Sequence, residues 1–143
     1  MAVTLRQIIE QDAAAIARLS GQLGYSSSVA DTAQRLKAVV ASKDHCGYAA
    51  ILDEQLVGWI HGCYTLRLES DAFVEIGGLV VDEHYRGKGI GKALIDEVKR
   101  WAREKGVSRI RVRCHRKRTD THTFYRHIGF VETKEQKVFD TSL

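Results

Sequence analysis

The sequence contains no proline, where an average composition would supply about seven in a chain of this length. That absence points to no function class, and no linker, internal repeat or low-complexity segment interrupts the chain. Cysteine is scarce: Cys46, Cys63 and Cys114 are the three present, and no two stand in a Cys-x-x-Cys spacing. An odd count without a secretory signal argues against a disulfide framework, and without clustered His and Cys no structural zinc site is expected. All three fall in predicted strands, where they read as small buried hydrophobes. No apolar run approaches the length that spans a bilayer, so no membrane segment is expected. The first residues, Met1-Ala2-Val3-Thr4-Leu5-Arg6, lack the basic start and long apolar stretch of a signal peptide, which makes the cytoplasm the expected location. The excess of positive charge is small, +4. It suits an anionic ligand but is modest for a dedicated nucleic-acid binder.

What is present is one domain's worth of chain, residues 1–143, with a hydrophobic share of 44% that can fill a core. Val3 to Ile8 alternates and predicts a strand. Asp12 is placed to cap a helix over Ala13–Leu23, closed by Gly24. Val29, Ala33, Leu36 and Val40 stand at helical spacing in a second helix, Ser28–Ser42. Strands are predicted over Gly47–Leu52, Leu56–Arg67 and Phe73–Val81, and their short connections imply an antiparallel meander. A helix over Ile90–Lys105 closes at Gly106. Ser108–Cys114 reads as a strand, Asp120 caps a short helix to about His127, and Gly129–Phe139 reads as a last strand. The order β-α-α-β-β-β-α-β-α-β predicts an α+β fold, with helices on a mixed sheet.

Between the strand ending at Val81 and the helix beginning at Ile90 lies Arg86-Gly87-Lys88-Gly89-Ile90-Gly91. Glycines at a helix start let backbone N–H groups close on a ligand. The helix N-terminus adds unpaired donors and partial positive charge. Together they make an anion site, most often for phosphate, and Arg86, Lys88 and Lys92 add charge around the turn. Two phosphate loops fail on spacing. The dinucleotide fingerprint needs a glycine where Lys92 stands, and the P-loop needs a hydroxyl where Ala93 stands. The pattern met is Arg/Gln-x-x-Gly-x-Gly/Ala, through Arg86, Gly89 and Gly91.

This hexapeptide resembles the coenzyme A pyrophosphate loop of the GNAT superfamily of N-acetyltransferases. Phe124-Tyr125-Arg126-His127-Ile128-Gly129-Phe130 is similar to that family's Tyr-x-x-x-Gly-Phe segment, and the element order matches along nearly the whole chain. The likeness extends to small bacterial members of undefined substrate, through Leu23-Gly24-Tyr25, Val57-Gly58-Trp59-Ile60-His61 and Glu75-Ile76-Gly77-Gly78-Leu79-Val80-Val81. The resemblance implies the GNAT fold, with helices on both faces of its central sheet, and acetyl-CoA as co-substrate with no metal required. It implies that Leu79, Val80 and Val81 pair with the pantetheine arm, and that the amides of Gly87, Lys88, Gly89, Ile90, Gly91 and Lys92 hold the pyrophosphate. Tyr125 matches the tyrosine that protonates the leaving thiolate, a role its ordinary pKa of about 10 allows. Glu75 matches the glutamate that deprotonates the acceptor amine; the alternative is that it only binds a cationic substrate. A backbone N–H near Val80–Val81 would stabilise the oxyanion. Two positions depart from the family: Arg118 stands where many members have Asn, and Thr121 where they have Ala. Arg118 is therefore expected to meet a cofactor phosphate in place of the usual Asn contact. His122, one turn before Tyr125, is open to orienting Tyr125, to ligand contact, or to a capping or packing role.

The resemblance implies that the acceptor side is built by the first two helices, their loop and the facing strands. Tyr25, Ser26, Trp59, His61, Tyr64, Glu69 and Glu75 are the candidates there, aromatic rings and carboxylates being suited to a cationic amine. Trp59, Tyr64 and His61 have packing roles as the alternative. The expected acceptor is a small amine or a peptide amine. Ser108–Cys114 puts Arg109, Arg111 and Arg113 on one face. They face an acidic partner, nucleic acid or a dimer mate, or else form a solvated face with local ion pairs. The family likeness also points to a homodimer through the last strand, around Val138-Phe139. The reading opposed to the enzyme is a non-catalytic acyl-CoA-binding sensor, which would keep the glycine loop and lose the chemistry.

Overall fold

The computed structural model describes residues 2–143. The chain forms two compact units, one reaching to Val112 and one running from Arg113 to Leu143.

In the first unit the elements are β1 (Thr4–Gln7), α1 (Ala13–Gly21), α2 (Val29–Ala41), β2 (His45–Leu52), β3 (Gln55–Thr65), β4 (Phe73–Val81), α3 (Ile90–Glu104) and β5 (Ile110–Val112). The five strands form one sheet in the order β1-β2-β3-β4-β5. β1 through β4 pair antiparallel and β4 pairs with β5 in parallel, so the sheet is mixed, as expected. The β2–β3 hairpin turns on Asp53 and Glu54, both at positive φ (50° and 65°), the backbone that a two-residue turn of this twist requires.

The sheet is covered on both faces. Ile16, Leu19 and Leu36 from α1 and α2 pack with Ile8, Ala49, Leu56 and Val80 in one buried cluster. On the opposite face α3 buries Ile90, Leu94, Ile95, Val98 and Ala102, the i, i+4, i+5, i+8, i+12 stripe of an amphipathic helix. Gly58 and Gly62 of β3 bring that helix close. A Cβ on Gly58 would stand 3.3 Å from Ile90 and Leu94, and one on Gly62 3.1 Å from Val98.

Three local expectations change. Asp12 does not cap α1 through its side chain. It lies in a 3₁₀ turn, Glu10–Asp12, and its carboxylate accepts the Ile9 amide (2.8 Å) and two hydrogen bonds from the Arg6 guanidinium (2.8 and 2.9 Å). Burial works against ionisation of Asp12, but these donors outweigh it and its pKa falls below the ordinary carboxylate value. The strand expected over seven residues from Ser108 pairs over only three, because β4 offers Val74, Glu75 and Ile76 as partners before its pairing with β3 bulges at Gly77. Cys114 accordingly lies outside the sheet; Cys46 is buried in β2 and Cys63 half-buried in β3.

The second unit holds α4 (Thr119–His127), ended by Gly129 at φ 100°. Asp120 is not its N-cap: Arg118 holds that position without a side-chain bond to the helix end, and Asp120 sits in the first turn, where a carboxylate favours the helix dipole. Gly129–Phe139 does not form the expected strand; residues 130–143 carry no regular structure, and Val131, Val138 and Phe139 are exposed. From Glu132 to Lys137 there is no apolar side chain, so the segment has no face to bury.

Candidate functional site

β4 has β3 along one side for its whole length but β5 along the other only at Val74–Ile76. From Gly77 to Val81, among the described residues, no strand of the sheet pairs with its second edge. The orientation of that edge is set by the backbone. The Val80 carbonyl lies 3.2 Å from the position of a Gly58 Cβ, and the Asp82 amide donates to the Val57 carbonyl at 2.8 Å. Residues 80 and 82 therefore turn their polar groups toward β3, and alternation turns those of Leu79 and Val81 outward. An extended amide chain can add there as a strand would. The Arg86 guanidinium already donates to the Val81 carbonyl at 3.3 Å.

This edge runs into the glycine turn. A 3₁₀ turn, Glu83–Tyr85, leads to Gly87 and Gly89 at φ 77° and 80°, with nothing within 4 Å of the space a Cβ would fill. Gly89 is the N-cap of α3, and the first ladder bond of the helix is Ala93 N–H to the Gly89 carbonyl (3.0 Å). The amides of Ile90, Gly91 and Lys92 thus precede the ladder and are free to bind an anion at the positive end of a four-turn helix. Lys88 lies over the Tyr85 ring at 6.0 Å, and Lys92 is ion-paired with Asp96 at 3.0 Å, which reduces the charge it adds. An open, left-handed glycine cradle next to an unpaired strand edge fits the pyrophosphate and amide arm of coenzyme A.

Sequence reasoning missed the clamp that fixes this turn. Asp82 is buried and accepts the His84 amide (3.1 Å) and the Gln22 side-chain amide (3.4 Å); Gln22 in turn accepts the Glu83 amide (3.0 Å), and Arg18 pairs with Asp82 at 3.7 Å. The amide bond from His84 is the main reason the Asp82 carboxyl is held below its ordinary pKa. The clamp ties α1 to the β4–α3 connection. Its two halves, Gln22 and Asp82, are 60 positions apart in sequence, and no spacing announces them.

Opposite α3, the same sheet face carries Trp59, His61 and Cys63 from β3, Phe73 and Glu75 from β4, and Arg111 from β5. Gly77 and Gly78 leave room for two rings: a Cβ on Gly77 would collide with the His61 ring (2.5 Å to Nδ1), and one on Gly78 with Trp59 (2.8 Å). Trp59 packs against the α1–α2 core, and its indole N–H is buried with no acceptor among the described residues. His61 is half-buried and hydrogen-bonded to His45, Nε2 to Nδ1 at 2.8 Å, with the rings 8° from parallel. Burial first, then the neighbouring His45, lowers the His61 pKa, so the ring is neutral at pH 7. Glu75 is half-buried in register with Cys63 and Arg111. Tyr25 is exposed beyond α1, as are Ser26 and Glu69 in their loops.

In the second unit Tyr125 is buried, with Phe124 and Phe130 edge-on to it at 5.1 Å each. Burial, and secondarily the nearby Cys114, pushes its hydroxyl pKa well above 10, so it holds its proton throughout the physiological range. Arg118 is half-buried at the start of α4. His122 has a structural bond: its Nε2 lies 2.9 Å from the His115 carbonyl, which steadies the turn into α4. Among the described residues no cluster of His, Cys, Asp or Glu is disposed to hold a metal ion, and no helix is long and apolar enough to cross a membrane.

Residues 14–130 match the acetyltransferase (GNAT) family, and the chain belongs to it. An aminoglycoside N(6')-acetyltransferase type 1 from Stenotrophomonas maltophilia is 28% identical, with 96% of this chain and 92% of the relative covered. An N-acetylaspartate synthetase from Danio rerio is 33% identical over 59% of this chain and 29% of its own length. Among solved structures, the aminoglycoside N-acetyltransferase AAC(6')-Iy in complex with CoA superposes with a TM-score of 0.89 at 18% identity, covering 99% of this chain and 96% of that one, a likeness of fold. The protein is an acyltransferase of the GNAT class.

Proposed function

We propose that the protein transfers the acetyl group of acetyl-CoA to a small primary amine by direct attack of the amine. The observation that carries this reading is the unpaired edge of β4 from Gly77 to Val81, leading into the free amides at the start of α3. Leu79 and Val81 would pair with the amide arm of the co-substrate, and the amides of Gly87 to Lys92 would hold its pyrophosphate, with Arg86 and Lys88 adding charge. Arg118 is assigned to a cofactor phosphate. Acetyl-CoA supplies the activated acetyl group, which passes from sulfur to nitrogen.

An amine at neutral pH arrives protonated and must lose a proton before it attacks. Glu75 takes that role in this reading, on the sheet face that also presents His61 and Trp59. An outward amide near Val80–Val81 stabilises the developing oxyanion. Tyr125, protonated and buried, donates to the departing thiolate. Tyr25, in the loop after α1, borders the acceptor. The relatives' names cover acceptors as different as aminoglycosides and aspartate, so they select the reaction rather than the amine. A homodimer joined through the exposed segment around Val138-Phe139 belongs to the same reading, as does a cytoplasmic location.

The test is thiol release from acetyl-CoA in the presence of polyamines, aminoglycosides, amino acids and lysine peptides. The reading expects release that depends on one class of amine. Binding of acetyl-CoA with no release across the panel would favour a sensor.

A further inference from the structure

The sheet face that bears Glu75 carries a second feature that the acetyl-transfer chemistry does not use. Phe73, two residues before Glu75, is fully buried, and three guanidinium groups close over its ring: Arg67 at 5.4 Å, Arg109 at 5.1 Å and Arg111 at 4.5 Å from the centroid. Arg67 lies just past the end of β3, and Arg109 and Arg111 come from β5 and the residue before it. Backbone register explains the convergence. The Val74 amide donates to the Arg109 carbonyl, Glu75 stands opposite Arg111, and Thr65 of β3 stands opposite Phe73.

Three like charges around one ring repel one another, and among the described residues none of the three is ion-paired. Glu69 and Asp71, in the loop between β3 and β4, lie on neighbouring chain yet make no ion pair with them. The sheet-surface reading of alternating arginines with local ion pairs is thus not what the structure contains at Arg109 and Arg111. Each guanidinium lies within cation–π range of the Phe73 ring, and among the described residues none of the three side chains makes a hydrogen bond or ion pair. Free, converging guanidinium forks are the usual means of gripping a carboxylate or phosphate in two-point fashion. This anion is not the pyrophosphate of the co-substrate. Phe73 and Val81 are the two ends of β4, about eight residues and about 27 Å apart, and the glycine turn lies beyond Val81. Glu75, by contrast, is only about 7 Å along the strand from Phe73.

We propose that Arg67, Arg109 and Arg111, gathered over Phe73, bind an acidic group of the acceptor. The acceptor is then an amine that also carries a carboxylate or phosphate, and not a polycation. This rests on the acetyltransferase reading, in which the amine is deprotonated beside Glu75. Guanidinium forks hold the acidic end while the amine end reaches Glu75, and a polycationic amine meets three positive charges at the same place.

The test has two arms. In the first, calorimetry at low salt measures binding of glutarate and of inorganic phosphate, neither of which can be acetylated, to the intact protein and to Arg109→Gln, Arg111→Gln and Arg111→Lys. The proposal expects at least one anion to bind, with affinity lost about tenfold in each Gln variant and less in the Lys variant, while melting temperatures show all variants folded. In the second arm, kcat/KM is compared for acidic amines (acidic dipeptides and O-phosphoserine), uncharged alkylamines, spermidine and kanamycin. The expectation is a preference of about tenfold or more for the acidic amines. That preference should collapse in Arg111→Gln through KM rather than kcat, with the KM for acetyl-CoA unmoved. Acetylation that favours kanamycin or spermidine, or anion binding indifferent to both Gln variants, overturns the proposal and leaves the acetyltransferase reading standing. Anion binding that the Gln variants abolish, with no amine acetylated, supports the arginine site and counts instead against acetyl transfer.

Discussion

Tyr125 is the proposed proton donor to the departing thiolate, and its surroundings suit that role. A phenol enclosed by Phe124 and Phe130 keeps its proton, which suits a donor and makes it a poor base. Tyr125→Phe is therefore expected to lower turnover about a hundredfold, the scale of one acid–base group, with acetyl-CoA affinity nearly intact by calorimetry. Turnover unchanged in this variant would remove Tyr125 from the chemistry. His61 was visible, but its partner His45 was not, because they lie 16 residues apart and meet only through the β2–β3 register. The pair Gly77-Gly78 could have signalled that two large side chains cross the strand there; nothing in the sequence says that they are His61 and Trp59.

At the scale of elements, periodicity located the helices and the meander to within a few residues. Apolar positions three and four apart, or alternating, reflect a buried face directly. It failed where a strand depends on what a neighbour offers. Ile110–Val112 pairs over three residues because β4 bulges at Gly77, and Gly129–Phe139 stays irregular because six consecutive residues lack an apolar side chain. The glycine turn lies between β4 and α3, where the glycine spacing puts it, and the left-handed backbone at Gly89 gives its physical reason. Replacing Gly89 by Ala forces a Cβ into φ 80°, at a cost of about 1–2 kcal/mol. The turn would also shift away from the geometry that presents its amides. Gly89→Ala should lower the melting temperature by a few degrees and weaken acetyl-CoA binding in calorimetry. Binding at full strength would mean that the turn does not hold the co-substrate.

For the molecule as a whole, buried titratable groups bound the pH range of stability on both sides. His61 has a lowered pKa, so below about 6.5 the unfolded chain takes up a proton that the folded chain refuses, and stability falls as pH drops. The Cys46 thiol, pushed up to about 12 chiefly by burial, behaves in the opposite sense: above about pH 9 the unfolded chain releases a proton that the folded chain keeps, and stability falls as pH rises toward 12. Tyr48 and Tyr125, also raised by burial, extend the alkaline loss above about pH 10. Melting temperature against pH should show a plateau between about 6.5 and 9, and Cys46→Ala should flatten the alkaline side at some loss of packing. A stability that rises steadily from about pH 9 to 11 would contradict the burial of these groups.

The central claim is transfer of acetyl from sulfur to nitrogen, and following the acetyl group itself tests it most directly. With acetyl-CoA labelled in the acetyl carbons and the acceptor class that supports thiol release, the predicted result is one labelled N-acetyl product per thiol released. Label recovered as free acetate would mean that water rather than an amine takes the acetyl group. Label retained on intact, tightly bound acetyl-CoA would make the protein a binder of its co-substrate and not an enzyme.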